Sequence, residues 1–120
     1  MQVHEIDERL LGHERSGGHF LVFVYEGSGA PDTSWSVHSR LITDADLPEV
    51  LRWLGSNLPA GCCWSLGVVR GPADPSPRTE VAVSWIVGAD VLNMDRADRS
   101  AAEQRIAEAM LARRHRVDLT

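Results

Sequence analysis

The run Phe20–Tyr25 (FLVFVY) constrains the fold more than any other segment of this sequence. Every side chain in it is aromatic or aliphatic, and aromatic and β-branched residues favour extended backbone. Successive side chains of a strand point to opposite faces of the sheet. An unbroken apolar run therefore predicts a strand that is covered on both faces.

Two capping boxes predict the starts of two helices. Asp46 and Glu49 form the first pair, and Ser100 and Glu103 form the second. The second helix is expected to end at about Arg116. The first has an apolar stripe at helical spacing, made of Leu47, Val50, Leu51, Leu54 and Leu58.

Three further segments have the pattern of strands. Trp35–Ile42 alternates between apolar and polar side chains, as a half-exposed strand does. Cys62–Val69 and Thr79–Val87 follow as a hairpin, and the proline-rich segment Gly71–Pro77 is its loop. In the last strand one face is expected to carry Val81, Val83, Trp85 and Val87.

This element order predicts an α+β fold in a single domain over residues 1–120. We expect one mostly antiparallel sheet of four to five strands, with two helices packed on one face. Residues 1–11 fit either an edge strand or a helical turn, and the pattern does not choose between them.

The composition limits the classes of partner and of chemistry. The net charge is −5, and all twelve basic residues are arginine. Nucleic acid is therefore an unfavourable partner, because phosphates need a basic surface, whereas a basic protein would be attracted. The absence of lysine excludes Schiff-base and P-loop lysine chemistry.

The adjacent cysteines Cys62 and Cys63 are poorly placed to bridge each other, because neighbours on a strand point to opposite faces. We expect buried structural thiols in a reducing cytoplasm; the alternative is a nucleophile partnered by His38 or His19. The first fifteen residues lack the apolar core of a signal peptide, and no apolar run is long enough to span a bilayer.

The sequence predicts neither a metal site nor a cofactor. No histidine pair has the spacing of a helical zinc motif; the histidines are His4, His13, His19, His38 and His115. The segment Gly27–Gly29 lacks the strand–GxGxxG–helix context of a dinucleotide site. The basic cluster Arg113–Arg116 either holds an anion or complements the negative end of the second helix.

Four tryptophans are many for a chain of this length, and tryptophan is enriched at binding hot spots; they are Trp35, Trp53, Trp64 and Trp85. A face of small side chains is also expected on the sheet, carrying Ser39, Cys63, Ser65, Gly67 and Ser84. Such a face suits a second sheet, a dimer partner or a shallow ligand site.

Residues 47 to about 95 resemble the bacterial polymorphic-toxin immunity proteins, in particular their seventh numbered family. The shared pattern is a helix ending in tryptophan, a P-x-G turn, an apolar strand, a V-x-V-x-W strand and an acidic turn. Its pieces here are Val50–Leu54, Pro59–Gly61, Trp64–Arg70, Val81–Val87 and Asp95. The chain departs from the family after this point. The family has a C-terminal tail that contains proline and cysteine, whereas this sequence continues into a helix from Ser100.

The resemblance implies a cytoplasmic inhibitor that binds a co-encoded toxin, with no catalytic residues. We expect its contacts at acidic loops and one aromatic side chain, namely Asp44, Asp46, Glu49, Trp53, Asp90 and Asp95. One alternative is a small enzyme with a pocket between sheet and helices, using His38, Arg40 and Tyr25 for acid–base work. Another is a homodimer that binds a small ligand on the face of small residues.

Overall fold

The computed structural model describes residues 1–5, 7, 9, 18–30, 33–70 and 82–117. The elements are β1 (Gly18–Glu26), β2 (Ser36–Ala45), α1 (Leu47–Asn57), β3 (Cys63–Arg70), β4 (Ala82–Val87), a 3-10 turn (Arg96–Asp98) and α2 (Ala101–Ala112). The predicted loop 71–77 and the start of the last predicted strand, residues 79–81, lie outside the described residues. In the described part of the chain, no helix has the length and apolar character needed to cross a membrane.

β1 lies inside an antiparallel sheet with the strand order β2-β1-β3-β4. It pairs with β2 on one side and with β3 on the other, and β3 pairs with β4. Because β2 and β3 are both antiparallel to β1, they run parallel to each other, and α1 is the crossover between them. The predicted α+β fold with an antiparallel sheet and two helices is confirmed.

Each face of the sheet is covered by one helix. Val22 of β1 lies in a buried cluster with Val50 and Leu54 of α1. Tyr25 lies in a second buried cluster with Met110 of α2. We call these the α1 face and the α2 face. The expectation that both helices share one face is corrected, and the reason is the apolar run of β1, whose two sets of side chains both need cover.

Both capping boxes are present as predicted. Asp46 and Glu49 exchange hydrogen bonds between side chain and backbone at the start of α1, and Ser100 and Glu103 do so at the start of α2. Val50 and Leu54 then point inward one helical turn apart and are fully buried. Complete burial of an aliphatic side chain of this size stabilises the fold by about 1.5–3 kcal/mol.

A β-bulge in β4 changes which side chains share a face. Gly67 pairs with Trp85, but the preceding residue Leu66 pairs with Val87, so that Ile86 is the extra residue. Trp85 therefore points to the α2 face, while Val87 packs against the core of the α1 face. The expectation that Trp85 and Val87 share a face is wrong, because strict alternation fails at a bulge.

A second irregularity ends β2. Gly18 pairs with Ala45 and Phe20 with Ile42, which leaves one extra residue on β2. Asp44 lies in this stretch with a φ of 53°, a left-handed conformation that aspartate tolerates better than most residues. The change of register turns Ala45 into the core of the α1 face and leads directly into the N-cap of α1.

Candidate functional site

The acidic corner, as we call Asp44, Asp46 and Glu49, joins the end of β2 to the start of α1, and all three residues are exposed. Asp46 Oδ1 accepts from the Glu49 amide at 2.9 Å, and Glu49 Oε1 accepts from the Asp46 amide at 3.2 Å. Two of the three predicted contact carboxylates therefore also satisfy free amide groups at the helix N-terminus. Both residues are exposed to solvent.

The six predicted partner-binding residues do not form one surface. The acidic corner and Trp53 belong to α1 and the strand before it. Asp90 and Asp95 flank Val91 and Leu92, which pack on the α2 face. Asp90 accepts a hydrogen bond from the Tyr25 hydroxyl, and Asp95 caps the 3-10 turn by accepting from the Ala97 amide.

In the part of the chain that the structure describes, β2 is an edge strand of the sheet, and it is exposed along most of its length. Val37 and Leu41 on its α2 face are 37% and 43% exposed. They continue across β1 as half-buried Leu21 and Phe23, and Phe23 contacts Trp85 edge-to-face with ring centroids 5.2 Å apart. We call this set the open apolar patch: Val37, Leu41, Leu21, Phe23 and Trp85. The alternating pattern of β2 predicted that Val37 and Leu41 share a face. The other three residues join them only through the order of the strands in the sheet.

Most of the predicted face of small residues is covered rather than open. Cys63 and Ser65 are fully buried beneath α2 and the segment that precedes it. Gly88, with a φ of 69°, brings that segment so close that a Cβ there would lie 3.2 Å from Ser65 Cβ. Ser84 pairs with Val68 and points to the other face of the sheet. Of the five residues on which the dimer alternative was based, Cys63, Ser65 and Gly67 are buried, Ser84 lies on the other face, and Ser39 is exposed.

The three residues of the enzyme alternative are divided between the two faces. His38 and Arg40 lie on the α1 face of β2, opposite Val24 and Val22 of β1. They line a cavity of about 340 Å³ with Trp53 of α1. Tyr25 lies on the α2 face, so it cannot share a reaction centre with the other two.

Tyr25 belongs to a buried polar network instead. Its hydroxyl donates to Asp90 Oδ1 at 3.0 Å and lies 3.2 Å from Ser65 Oγ, which can donate in return. Burial raises the pKa of Tyr25 well above its ordinary value, and the negative charge of Asp90 raises it further. The neutral hydroxyl therefore fastens the segment after β4 to the sheet.

The cysteines are buried free thiols, as expected. Cys62 lies in the core of the α1 face and Cys63 in the core of the α2 face. Burial raises the pKa of both thiols, which keeps them protonated and poor nucleophiles.

The basic cluster at the end of α2 is used within the fold. The Arg114 guanidinium donates to the carbonyls of Gly27, Ser28 and Gly61, and it lies 5.1 Å from the centroid of the Trp35 ring. His115 Nδ1 accepts from the Gly61 amide. We call these contacts of Arg114 with three carbonyls the Arg114 clamp. The sequence did not predict it, because the acceptors are backbone carbonyls that lie far from Arg114 along the chain.

A second cavity, of about 520 Å³, lies on the α2 face beside Trp35. Its main polar side chains are already bonded within the fold. Asn93 exchanges two hydrogen bonds with the Trp35 backbone, and Arg99 donates to the carbonyls of Val91 and Leu92. The smaller cavity on the α1 face is therefore the better candidate for a ligand.

Among the described residues, no three histidine, cysteine or acidic side chains are grouped closely enough to hold a metal ion. Comparisons of the chain with family models, with curated proteins and with solved structures found no match.

Proposed function

We propose that the protein is a cytoplasmic inhibitor of immunity type, which neutralises a co-encoded basic toxin by binding it. The observation that carries the proposal is the exposed edge strand β2, which has the open apolar patch on one side and ends at the acidic corner. An edge strand offers unpaired amides and carbonyls to an extended segment of a partner, and its side chains add selectivity.

The charge of the chain favours a basic partner. The net charge is −5, and the acidic corner places three carboxylates next to the edge strand. Carboxylates that meet basic groups of a toxin raise the rate of encounter and select against acidic partners. A toxin that acts on an anionic substrate would have its own basic site occupied by these groups.

The test is capture of the partner from the host, with variants that remove charge but keep the helix cap. Asp44→Asn, Asp46→Asn and Glu49→Gln together remove three negative charges, and asparagine both caps a helix and tolerates a left-handed φ. We expect one stoichiometric basic protein to bind the wild type, and its affinity to fall about tenfold or more in the triple variant.

A control of equal charge change is Glu5→Gln, Asp98→Asn and Glu108→Gln, all exposed and outside the acidic corner. It should retain the partner. Leu41→Glu should weaken capture by disturbing the open apolar patch, and co-expression of the wild type should relieve growth arrest by the captured toxin. Capture of no stoichiometric partner, or equal loss in both triple variants, would contradict the proposal.

A further inference from the structure

The cavity on the α1 face lies where the apolar covering of the sheet changes to polar side chains. Val24 forms its floor, Trp53 and Pro59 contribute apolar walls, and His38 and Arg40 project from β2. Its volume of about 340 Å³ falls within the range of small-molecule sites, about 300–1,000 Å³. The cavity therefore has a flat apolar side and a charged side.

On the charged side of the cavity, the one lining carboxylate in the described part of the chain, that of Glu26, lies next to His38 rather than Arg40. His38 Nε2 is 3.6 Å from Glu26 Oε2. Arg40 donates through Nη1 to the neighbouring Ser39 carbonyl at 3.0 Å, and no carboxylate among the described residues forms an ion pair with it. The planar guanidinium fork of Arg40 matches the geometry of a carboxylate.

The apolar side is held in place by the end of α1. Trp53 is half-buried and packs against the core of the α1 face. The Asn57 side chain donates to the Trp53 carbonyl at 2.8 Å and fixes the last turn beside the cavity. Trp53 lines the cavity, and an indole has flat faces on which a planar ring can stack.

From these features we infer that the cavity binds a small aromatic carboxylate, with the ring against Trp53 and the carboxylate at Arg40. A hydroxyl or amino group on the ring would meet the pair of His38 and Glu26, which supplies a donor and an acceptor. A purely structural role does not explain why an arginine with no acidic partner among the described residues lies beside a tryptophan and a histidine–glutamate pair.

The test uses benzoate and 4-hydroxybenzoate as probes and follows backbone amide signals by NMR titration. We expect saturable shifts at the cavity residues, with a Kd on the order of 1 mM for benzoate, as suits a ligand of this size. The hydroxylated probe should bind more tightly. Benzamide has the same ring without the charge and should bind at least about tenfold more weakly.

Arg40→Gln should weaken benzoate binding about tenfold or more, whereas Arg105→Gln, an exposed arginine of α2, should leave it unchanged. Trp53→Leu should also weaken binding, and the amide spectrum of each variant reports whether its fold is intact. Shifts that do not saturate, shifts confined to other parts of the protein, or an unchanged Kd in Arg40→Gln would overturn the inference.

Discussion

Gly67 provides the sharpest test of the packing between β3 and β4. A Cβ at this position would lie 2.3 Å from Val83 Cγ1, 3.2 Å from Trp85 Cε3 and 3.3 Å from the Ser84 carbonyl oxygen. The first separation is far below van der Waals contact, and the last involves backbone beside the bulge, which cannot swing away. We therefore expect Gly67→Ala to force Val83 and the bulge apart.

The expected cost follows from two opposing terms. Overpacking a well-filled site costs about 1–3 kcal/mol. Replacing glycine by alanine at a compatible site gains about 0.4–1 kcal/mol, because the unfolded chain loses freedom. The steric term is larger, so Gly67→Ala should lower the free energy of unfolding by about 1 kcal/mol. With a urea m-value of about 2 kcal/mol/M, the midpoint falls by about 0.5 M.

Gly55 supplies the matched control. It is exposed in α1, and a Cβ there would have no neighbour within 4 Å. Gly55→Ala should therefore stabilise the protein by about 0.5–1 kcal/mol through helix propensity. Adding Val83→Ala to Gly67→Ala should recover about 1 kcal/mol beyond additivity, because the closest clash disappears. Equal effects of alanine at Gly67 and Gly55 would refute the packing argument.

Two further predictions concern polar contacts between residues that are far apart in the chain. The folded-state pKa of Tyr25 is raised above the unfolded value of about 10, so its contribution is complete below that pH and is lost as the pH rises toward the folded pKa. Unfolding by urea should become easier above about pH 10 in the wild type and less so in Tyr25→Phe. Because the chain has a single tyrosine, ultraviolet absorbance should show tyrosinate only as the protein unfolds, and titration at the ordinary pH would contradict this. Arg114→Lys should cost about 2 kcal/mol in urea unfolding, since an ammonium cannot copy a fork that reaches three carbonyls. Arg105→Lys on the exposed side of α2 should change stability little, and an equal loss there would count against the clamp.

The elements that the sequence predicted are those with local signals. The capping boxes fixed the starts of both helices, because their hydrogen bonds join residues three apart. The run Phe20–Tyr25 marked β1 correctly as a strand covered on both faces. A strand that is covered on both faces is also inconsistent with two helices on a single face of the sheet, because the other face would then be uncovered.

The features that the sequence did not predict depend on distant partners. The bulge at Ile86 lies beside the close approach of Val83 and Trp85 to Gly67, and periodicity alone cannot reveal it. The Arg114 clamp uses carbonyl oxygens, which every residue possesses and which therefore leave no pattern in the sequence. The predicted acidic residues also fall into two groups for a reason that is not local. The acidic corner adjoins α1 on one face of the sheet, whereas Asp90 and Asp95 lie in the segment that covers the other face.

The two proposed binding sites both use residues of β2. They can be tested separately, because successive side chains of the strand point to opposite faces of the sheet. Leu41 points to the α2 face and belongs to the open apolar patch, whereas Arg40 points to the α1 face and lines the cavity. A substitution at Leu41 should therefore weaken partner capture and leave the benzoate affinity nearly unchanged. A substitution at Arg40 should weaken benzoate binding and leave partner capture nearly unchanged. A partner strand added to the edge of β2 would occupy backbone groups in the plane of the sheet and leave the cavity accessible above it. Loss of both activities in Leu41→Glu, with the fold intact, would instead indicate that the edge strand and the cavity form one site.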